Sequence, residues 1–283
     1  MIYVSSACVR AKTIRESIEI LYKEGYSNIE LSGGTRPYDQ LENDLVSLKN
    51  QHNLNFLCHN YFPPPEKPFV LNLAATNVEI SELSKDHCKK AIDLSIKLGA
   101  KKYGFHAGFL IDIPLNQIGK GITKKNLYNE SEAYLFFQRN INDLIEYAEG
   151  RIELYIENNV LSLENYLNFN QKDPFFFTSS LNHNRIKANI PFILDLAHLK
   201  VSCNTLDLDF EKEVAYFLPK TDYIHISDNN GKADQNLSLD KEGDLYRILQ
   251  NNSLKGKTIT LETYDGLEKL KETFILINEL IEN

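Results

Sequence analysis

Residues 223–236 read YIHISDNNGKADQN. The run Tyr223-Ile224-His225-Ile226 has strand character and carries a histidine to its C-terminal end. A few residues on, Asp234-Gln235-Asn236 has the form of an acid–x–imidazole metal clip with an amide in the imidazole's place. The same unit, a short apolar run followed by a helical pattern, recurs about eight times along the chain. The strand-like runs are Ile2–Ser5, Asn28–Leu31, Leu54–His59, Lys102–His106, Ile152–Glu157, Phe192–Asp195, Tyr223–Ile226 and Thr258–Glu262. Short, mostly apolar strands of this kind suit a parallel sheet covered on both faces.

Between the strands, apolar residues fall at helical spacing. Ile14, Ile18, Leu21 and Tyr22 form one face; Ala91, Leu94, Ile96 and Leu98 form a looser one closed by Gly99. Ile141, Leu144, Ile145 and Ala148 form another, with Gly150 as its C-cap. Eight βα units predict an α/β protein: a single (β/α)8 TIM barrel over residues 1–283, with extended βα loops. An open doubly wound sheet is the competitor, but no glycine-rich turn follows the first strand.

Composition narrows the function. The chain has 283 residues, 42% of them hydrophobic and 25% charged, enough for one large core. Its net charge is −8 and no stripe of Lys or Arg is present, which argues against a nucleic-acid partner. A small anionic substrate held by a metal remains compatible with that charge. The four cysteines lie far apart, as expected of reduced thiols. MIYVSSACVR enters a strand pattern directly, without a charged leader, and no apolar run is long enough to cross a bilayer. The expectation is a soluble, cytoplasmic protein with no membrane contact.

Two connections exceed what a simple barrel needs: Ala107 to about Glu130, and Asn158 to Ile190. The second carries the apolar triplet Phe175-Phe176-Phe177. Such loops either shape the substrate pocket or pack as helical insertions. Exposed apolar loops of this kind make a homodimer an expectation.

Ionisable residues recur where the strands end. His59, His106, Glu157, Asp195 and Glu262 close their strands, His225 lies in the seventh, and His198 follows Asp195 by three residues. In a parallel barrel these ends converge on one mouth. A lone histidine or glutamate there reads as a structural residue or a helix cap. So many charges sharing one mouth need a metal or hydrogen bonds to offset repulsion and desolvation. Glu157, Asp195, His225 and Glu262 form an O3N set suited to Mn²⁺, Co²⁺ or Zn²⁺. His59 and His106, with Glu157 as a bridge, form a second, more zinc-like set, and His198 with Asp234 begins a third.

The segments CHNYFPPP (58–65), LNLA (71–74), FHAGF (105–109), YIENN (155–159), LDLAH (194–198), HISDN (225–229), LDKEGDL (239–245) and LET (261–263) resemble the xylose-isomerase-like TIM-barrel superfamily over nearly the whole chain. That superfamily includes sugar isomerases, D-tagatose 3-epimerase and endonuclease IV. Resemblance to the epimerases implies one metal on Glu157, Asp195, His225 and Glu262. It also implies that Glu157 and Glu262 are the acid/base pair, transferring a proton through an enediolate, with His198 touching a substrate oxygen. Lys232 and Phe62 are further substrate-contact candidates, though they read equally as a solvated loop charge and a packing aromatic. The arginine such epimerases often carry after the seventh-strand histidine is missing; Gly231 and Lys232 occupy the region.

Resemblance to endonuclease IV implies more metals. His59, His106 and Glu157 match its first site, and Glu157, Asp195, His225 and Glu262 its second. His198 and Asp234 match two ligands of its third, where Asn236 replaces histidine and should leave that site weak or empty. DNA cleavage fits poorly, since Gln235 stands where that clip carries an arginine. Gly34-Thr35-Arg36-Pro37 resembles a DNA-contacting loop but supplies one arginine. The leading expectation is therefore a divalent-metal-dependent isomerase or epimerase of a sugar, sugar phosphate or related carbohydrate. The alternative is a metallohydrolase holding two zinc ions and acting on a small phosphorylated or glycosidic substrate.

Overall fold

In a computed structural model of the chain, describing residues 1–123 and 125–282, eight strands close into one parallel barrel in sequence order. They are β1 (Ile2–Ser5), β2 (Asn28–Leu31), β3 (Asn55–His59), β4 (Lys102–His106), β5 (Glu153–Glu157), β6 (Phe192–Asp195), β7 (Tyr223–Ile226) and β8 (Thr258–Leu261). Each lies within a residue of its predicted position, and Glu262 sits just past the end of β8.

Helices cover the outside. The first four are α1 (Ile14–Lys23), α2 (Leu41–His52), α3 (Val78–Lys97) and α4 (Glu130–Ala148). Two short ones, α5 (Leu163–Asn168) and α6 (Ser180–His183), lie within the long connection after β5. The last four are α7 (Leu196–Leu206), α8 (Phe210–Phe217), α9 (Asp244–Gln250) and α10 (Leu267–Glu282). Local chemistry sets their ends. Thr13 and Glu16 form a reciprocal capping box at the start of α1. Asp195 both ends β6 and caps α7, its carboxylate accepting from the His198 backbone N–H at 2.7 Å. No helix among the described residues is long and apolar enough to cross a membrane.

Alternation along the strands separates two cores. Ile29, Phe56, Phe105, Ile156, Leu194 and Ile224 point outward into the layer beneath the helices. Tyr3, Leu57, Tyr155, Ile193 and Tyr223 point inward and fill the lower barrel. Two residues further along β3, β5, β6 and β7, the same inward rows reach His59, Glu157, Asp195 and His225. Register aligns them: His106 pairs with Glu157, and Asp195 with His225.

Gly104 keeps this interior open. A Cβ there would lie 2.2 Å from Ile193 Cδ1 and 3.4 Å from His59 Cδ2. Gly104→Ala is expected to lose ~1–3 kcal/mol in urea unfolding through overpacking, with Ile193→Val recovering part of it. Wild-type stability in the single variant would mean that Ile193 yields without strain.

The two long connections pack on each other above the mouth. Phe109 and Phe175 pair as an antiparallel bridge, and Leu110 N–H donates to the Pro174 carbonyl at 2.7 Å. Ile111, Ile122, Leu161, Phe169 and Phe175 form a separate apolar cluster between them. This overturns the expectation of an exposed apolar loop. Phe175, Phe176 and Phe177 are buried at 5%, 0% and 0% exposure, so the triplet provides no surface for a homodimer. All four cysteines are buried and unpaired.

A candidate metal centre at the barrel mouth

Glu157 is the hub of the site. It is fully buried at the end of β5, with ring nitrogens around it from four directions. His59 Nε2 lies 2.8 Å from Oε2 and His106 Nδ1 3.2 Å from the same oxygen. His225 Nδ1 lies 3.1 Å from Oε1, and His198 Nδ1 4.0 Å. Glu262 Oε2 lies 3.7 Å from the same His225 nitrogen. Donor atoms of Glu157, Asp195 and His225 lie within 4.8 Å of one another, and so do those of His106, Glu157 and His198. The structure thus brings together the strand-end residues that the sequence singled out.

Supporting bonds hold these groups in place. Asn158 locks the ends of β5 and β6 together: its side-chain N–H donates to the Asp195 carbonyl at 3.0 Å, and its Oδ1 accepts from Asp195 N–H at 2.7 Å. The Asn158 carbonyl faces His198 Nδ1 at 2.8 Å, which directs His198 Nε2 toward Asp234 at 3.3 Å. Asn236 supports Asp234, its amide N–H donating at 3.4 Å, while its Oδ1 is turned to the Ser227 hydroxyl. The amide that replaces the clip's imidazole therefore offers its oxygen to Ser227.

Burial and charge compete throughout the site. Burial raises the Asp195 carboxyl to about 7; His198 opposes this, while Glu157, Asp234 and Glu262 add to it. Burial would raise Glu157 too, but His106, His59 and His225 outweigh it and hold Glu157 well below the usual carboxylate range. Burial favours neutral His198, yet Asp195 and Asp234 prevail and raise it well above an ordinary histidine. Burial pushes His106 down to about 4.

Whether a cation fits can be judged from the polar atoms left over. His106 Nδ1, His225 Nδ1 and Glu157 Oε1 are buried and make no hydrogen bond. The close approaches of these atoms are contacts without hydrogen-bond geometry. Nitrogen and oxygen lone pairs meeting in a buried chamber repel, and a divalent cation is the group that would satisfy them together. The residues fit a metal.

The chamber has a volume of about 190 Å³ and is also lined by Tyr61 and Tyr264. It opens into a cleft of about 380 Å³ under the two long connections, reached by Lys232. A larger groove of about 870 Å³, lined by Tyr134, Asp173 and Arg185, contains none of the strand-end ligands. We place the chemistry in the small chamber, because His59, His106, Glu157, His198 and Glu262 converge there. Of the substrate-contact candidates, His198 and Lys232 line the cleft. Phe62 does not: it is fully buried in the core beneath the helices, so the packing reading is the correct one. Its neighbour Tyr61 faces both spaces.

His87 of α3 stands behind this wall, 3.3 Å from the Asn60 carbonyl and edge-on to Phe69 at 5.5 Å. Burial pushes its pKa down from 6.5 to about 4. An unfolded chain takes up this proton below pH 6.5 and the folded chain does not, so stability should fall as pH drops from 6.5 toward 4. The loss from this group is at most about 3 kcal/mol. His87→Gln should flatten the dependence in pH-resolved unfolding; an unchanged slope would assign it to other groups.

One residue of the site is absent from the strand-end pattern. Glu30 lies within β2, fully buried, and its carboxylate accepts from the Thr260 hydroxyl at 2.9 Å and from the Tyr223 hydroxyl. His225 Nε2 lies 3.3 Å away. The legible signal was the inward alternation of β2: an acid in the middle of a strand covered on both faces needs partners.

A sequence model of the family described as xylose isomerase-like TIM barrel matches residues 18–279. The chain belongs to this family. Solved structures similar to this family member extend over its length. One described as a D-tagatose 3-epimerase-like protein is 16% identical, with a TM-score of 0.73, covering 99% of this chain and 97% of that one. An L-ribulose 3-epimerase is 12% identical with a TM-score of 0.67, covering 99% and 94%. An AP endonuclease, family 2, from Brucella melitensis is 14% identical with a TM-score of 0.65, covering 97% of each chain. At these identities the likeness shows the fold. Among curated proteins none matches the chain.

Proposed function

We propose that the protein is a divalent-metal-dependent isomerase or epimerase of a sugar, sugar phosphate or related carbohydrate. The observation that carries this reading is that Glu157 and Glu262, three strands apart, both approach His225 Nδ1, at 3.1 and 3.7 Å. Glu157, Asp195, His225 and Glu262 would hold the cation. Once bound, it would polarise a carbonyl and the adjacent hydroxyl, making the neighbouring C–H acidic. Two carboxylates on opposite sides of that carbon can then remove a proton from one face and return one to the other. His198, braced on Asn158, would contact a substrate oxygen, and Lys232 at the cleft would meet an anionic tail. The likeness to proteins described as sugar 3-epimerases supports the same reading. The acidic chain, with Gln235 in the clip, favours a small substrate over duplex DNA.

The test is incubation with a panel of ketoses and ketose phosphates in heavy water. Deuterium beside a carbonyl is expected in at least one compound. Its absence across the panel, with phosphoester cleavage found instead, would overturn the proposal. A second reading, a two-zinc hydrolase, is favoured by His59 and His106 both standing within 3.2 Å of Glu157 Oε2. About one metal per chain after dialysis supports the isomerase, and two tightly held zinc ions support the hydrolase.

A further inference from the structure

We propose that Glu30 is a positioning residue for the metal centre: one carboxylate beneath the site that orients His225, so that its Nδ1 presents a lone pair to the cation. The inference rests on the metal-dependent reading above, but not on which reaction the metal serves.

The His225 ring is held between two carboxylates. In front of it is Glu157, 3.1 Å from Nδ1, and behind it is Glu30, 3.3 Å from Nε2. A carboxylate only accepts hydrogen bonds, so Nε2, which is hydrogen-bonded to Glu30, carries the hydrogen. In the neutral ring this leaves the lone pair on Nδ1, which lies toward Glu157 and makes no hydrogen bond. His59 is set the other way: its Nε2 is hydrogen-bonded to Glu157 at 2.8 Å, and its Nδ1 stands 3.9 Å from Glu30.

Glu30 is itself held rigidly. The Tyr223 and Thr260 hydroxyls both donate to Oε2, the oxygen that also accepts from His225 Nε2. Tyr223 and His225 are successive inward residues of β7, and Thr260 pairs with His225 in the β7–β8 register. The support is therefore built into strands and not into a mobile loop.

The probe is Zn²⁺ or Mn²⁺ added to chelator-stripped protein, read by calorimetric titration and by competition with a chromophoric chelator. Glu30→Gln keeps the side-chain volume but replaces the charged acceptor of His225 Nε2 with a neutral amide. Its metal affinity is expected to fall about 10–100-fold at unchanged stoichiometry, with metal-free stability no lower than that of the wild type. Wild-type affinity in a folded Glu30→Gln would overturn the proposal. So would the loss of one whole equivalent, which would make Glu30 a ligand in its own right.

Should Glu30→Gln not fold, histidine-selective ¹⁵N NMR of the zinc-loaded wild type decides the matter. The expected pattern has metal on His225 Nδ1 with hydrogen on Nε2. The reverse arrangement at His225 would overturn the proposal. A wild type that binds no divalent cation would remove the metal reading altogether, which is distinct from Glu30 being silent in a protein that does bind one.

Discussion

Glu262→Gln is expected to lower turnover by about 10²–10⁴-fold or more while leaving the barrel folded. Glu262 follows β8 and is nearly buried, with Oε2 3.7 Å from His225 Nδ1. The amide has the same shape, so packing against neighbouring strands is kept. It has no basic oxygen to take a proton from carbon, and no charge to balance a cation. Both proposed roles are lost in one substitution, which is why the effect should exceed that of any change at the cleft. Removing one of several buried carboxylates also relieves repulsion in the metal-free chamber, so unfolding of the stripped variant should match or exceed the wild type. Deuterium exchange into a substrate identified from the ketose panel measures the effect. Near-normal exchange in Glu262→Gln would show that another group is the partner of Glu157.

The second large effect is on stability. Stripping metal with a chelator is expected to cost about 3–4 kcal/mol, the linkage expected when a cation is present at 100–1,000 times its dissociation constant. Glu30, Glu157, Asp195 and Glu262 are all buried around the imidazoles of His59, His106, His198 and His225. Without a cation, burial lifts the Asp195 carboxyl to about 7, and His225 Nδ1 and Glu157 Oε1 stay unpaired. Each such group adds a desolvation penalty to the folded state that the unfolded chain does not carry. Thermal unfolding before and after chelation checks this, with Zn²⁺ or Mn²⁺ added back to restore the midpoint. An identical midpoint in the stripped and reloaded protein would mean that the chamber tolerates its own charges and does not depend on a metal.

Apart from Glu30, these two experiments act on residues that were legible in the sequence. Glu157, Asp195, His225 and Glu262 were readable because a parallel barrel brings every C-terminal strand end to one mouth, so position along each strand was enough. His59, His106 and His198 followed by the same argument. Phe62 and the Phe175–Phe177 triplet were harder to place. An aromatic residue in a loop reads alike whether it faces a substrate or packs inward, and only the neighbouring segments decide. For the triplet, the deciding neighbour was the other long connection, which pairs with it through Phe109.

Sequence by itself determined the number and order of the strands, the closed barrel and the residues at its mouth. All of these follow from local alternation and spacing along the chain. Tertiary structure alone decided which of those residues touch. It set His59 and His106 against one oxygen of Glu157 and turned the Asn236 oxygen toward Ser227. It also placed Glu30 beneath His225, a residue 195 positions away. The physical reason is that hydrogen bonds and charge pairs depend on distances of a few ångströms across the barrel, and those are set by closure and register, which no single strand encodes.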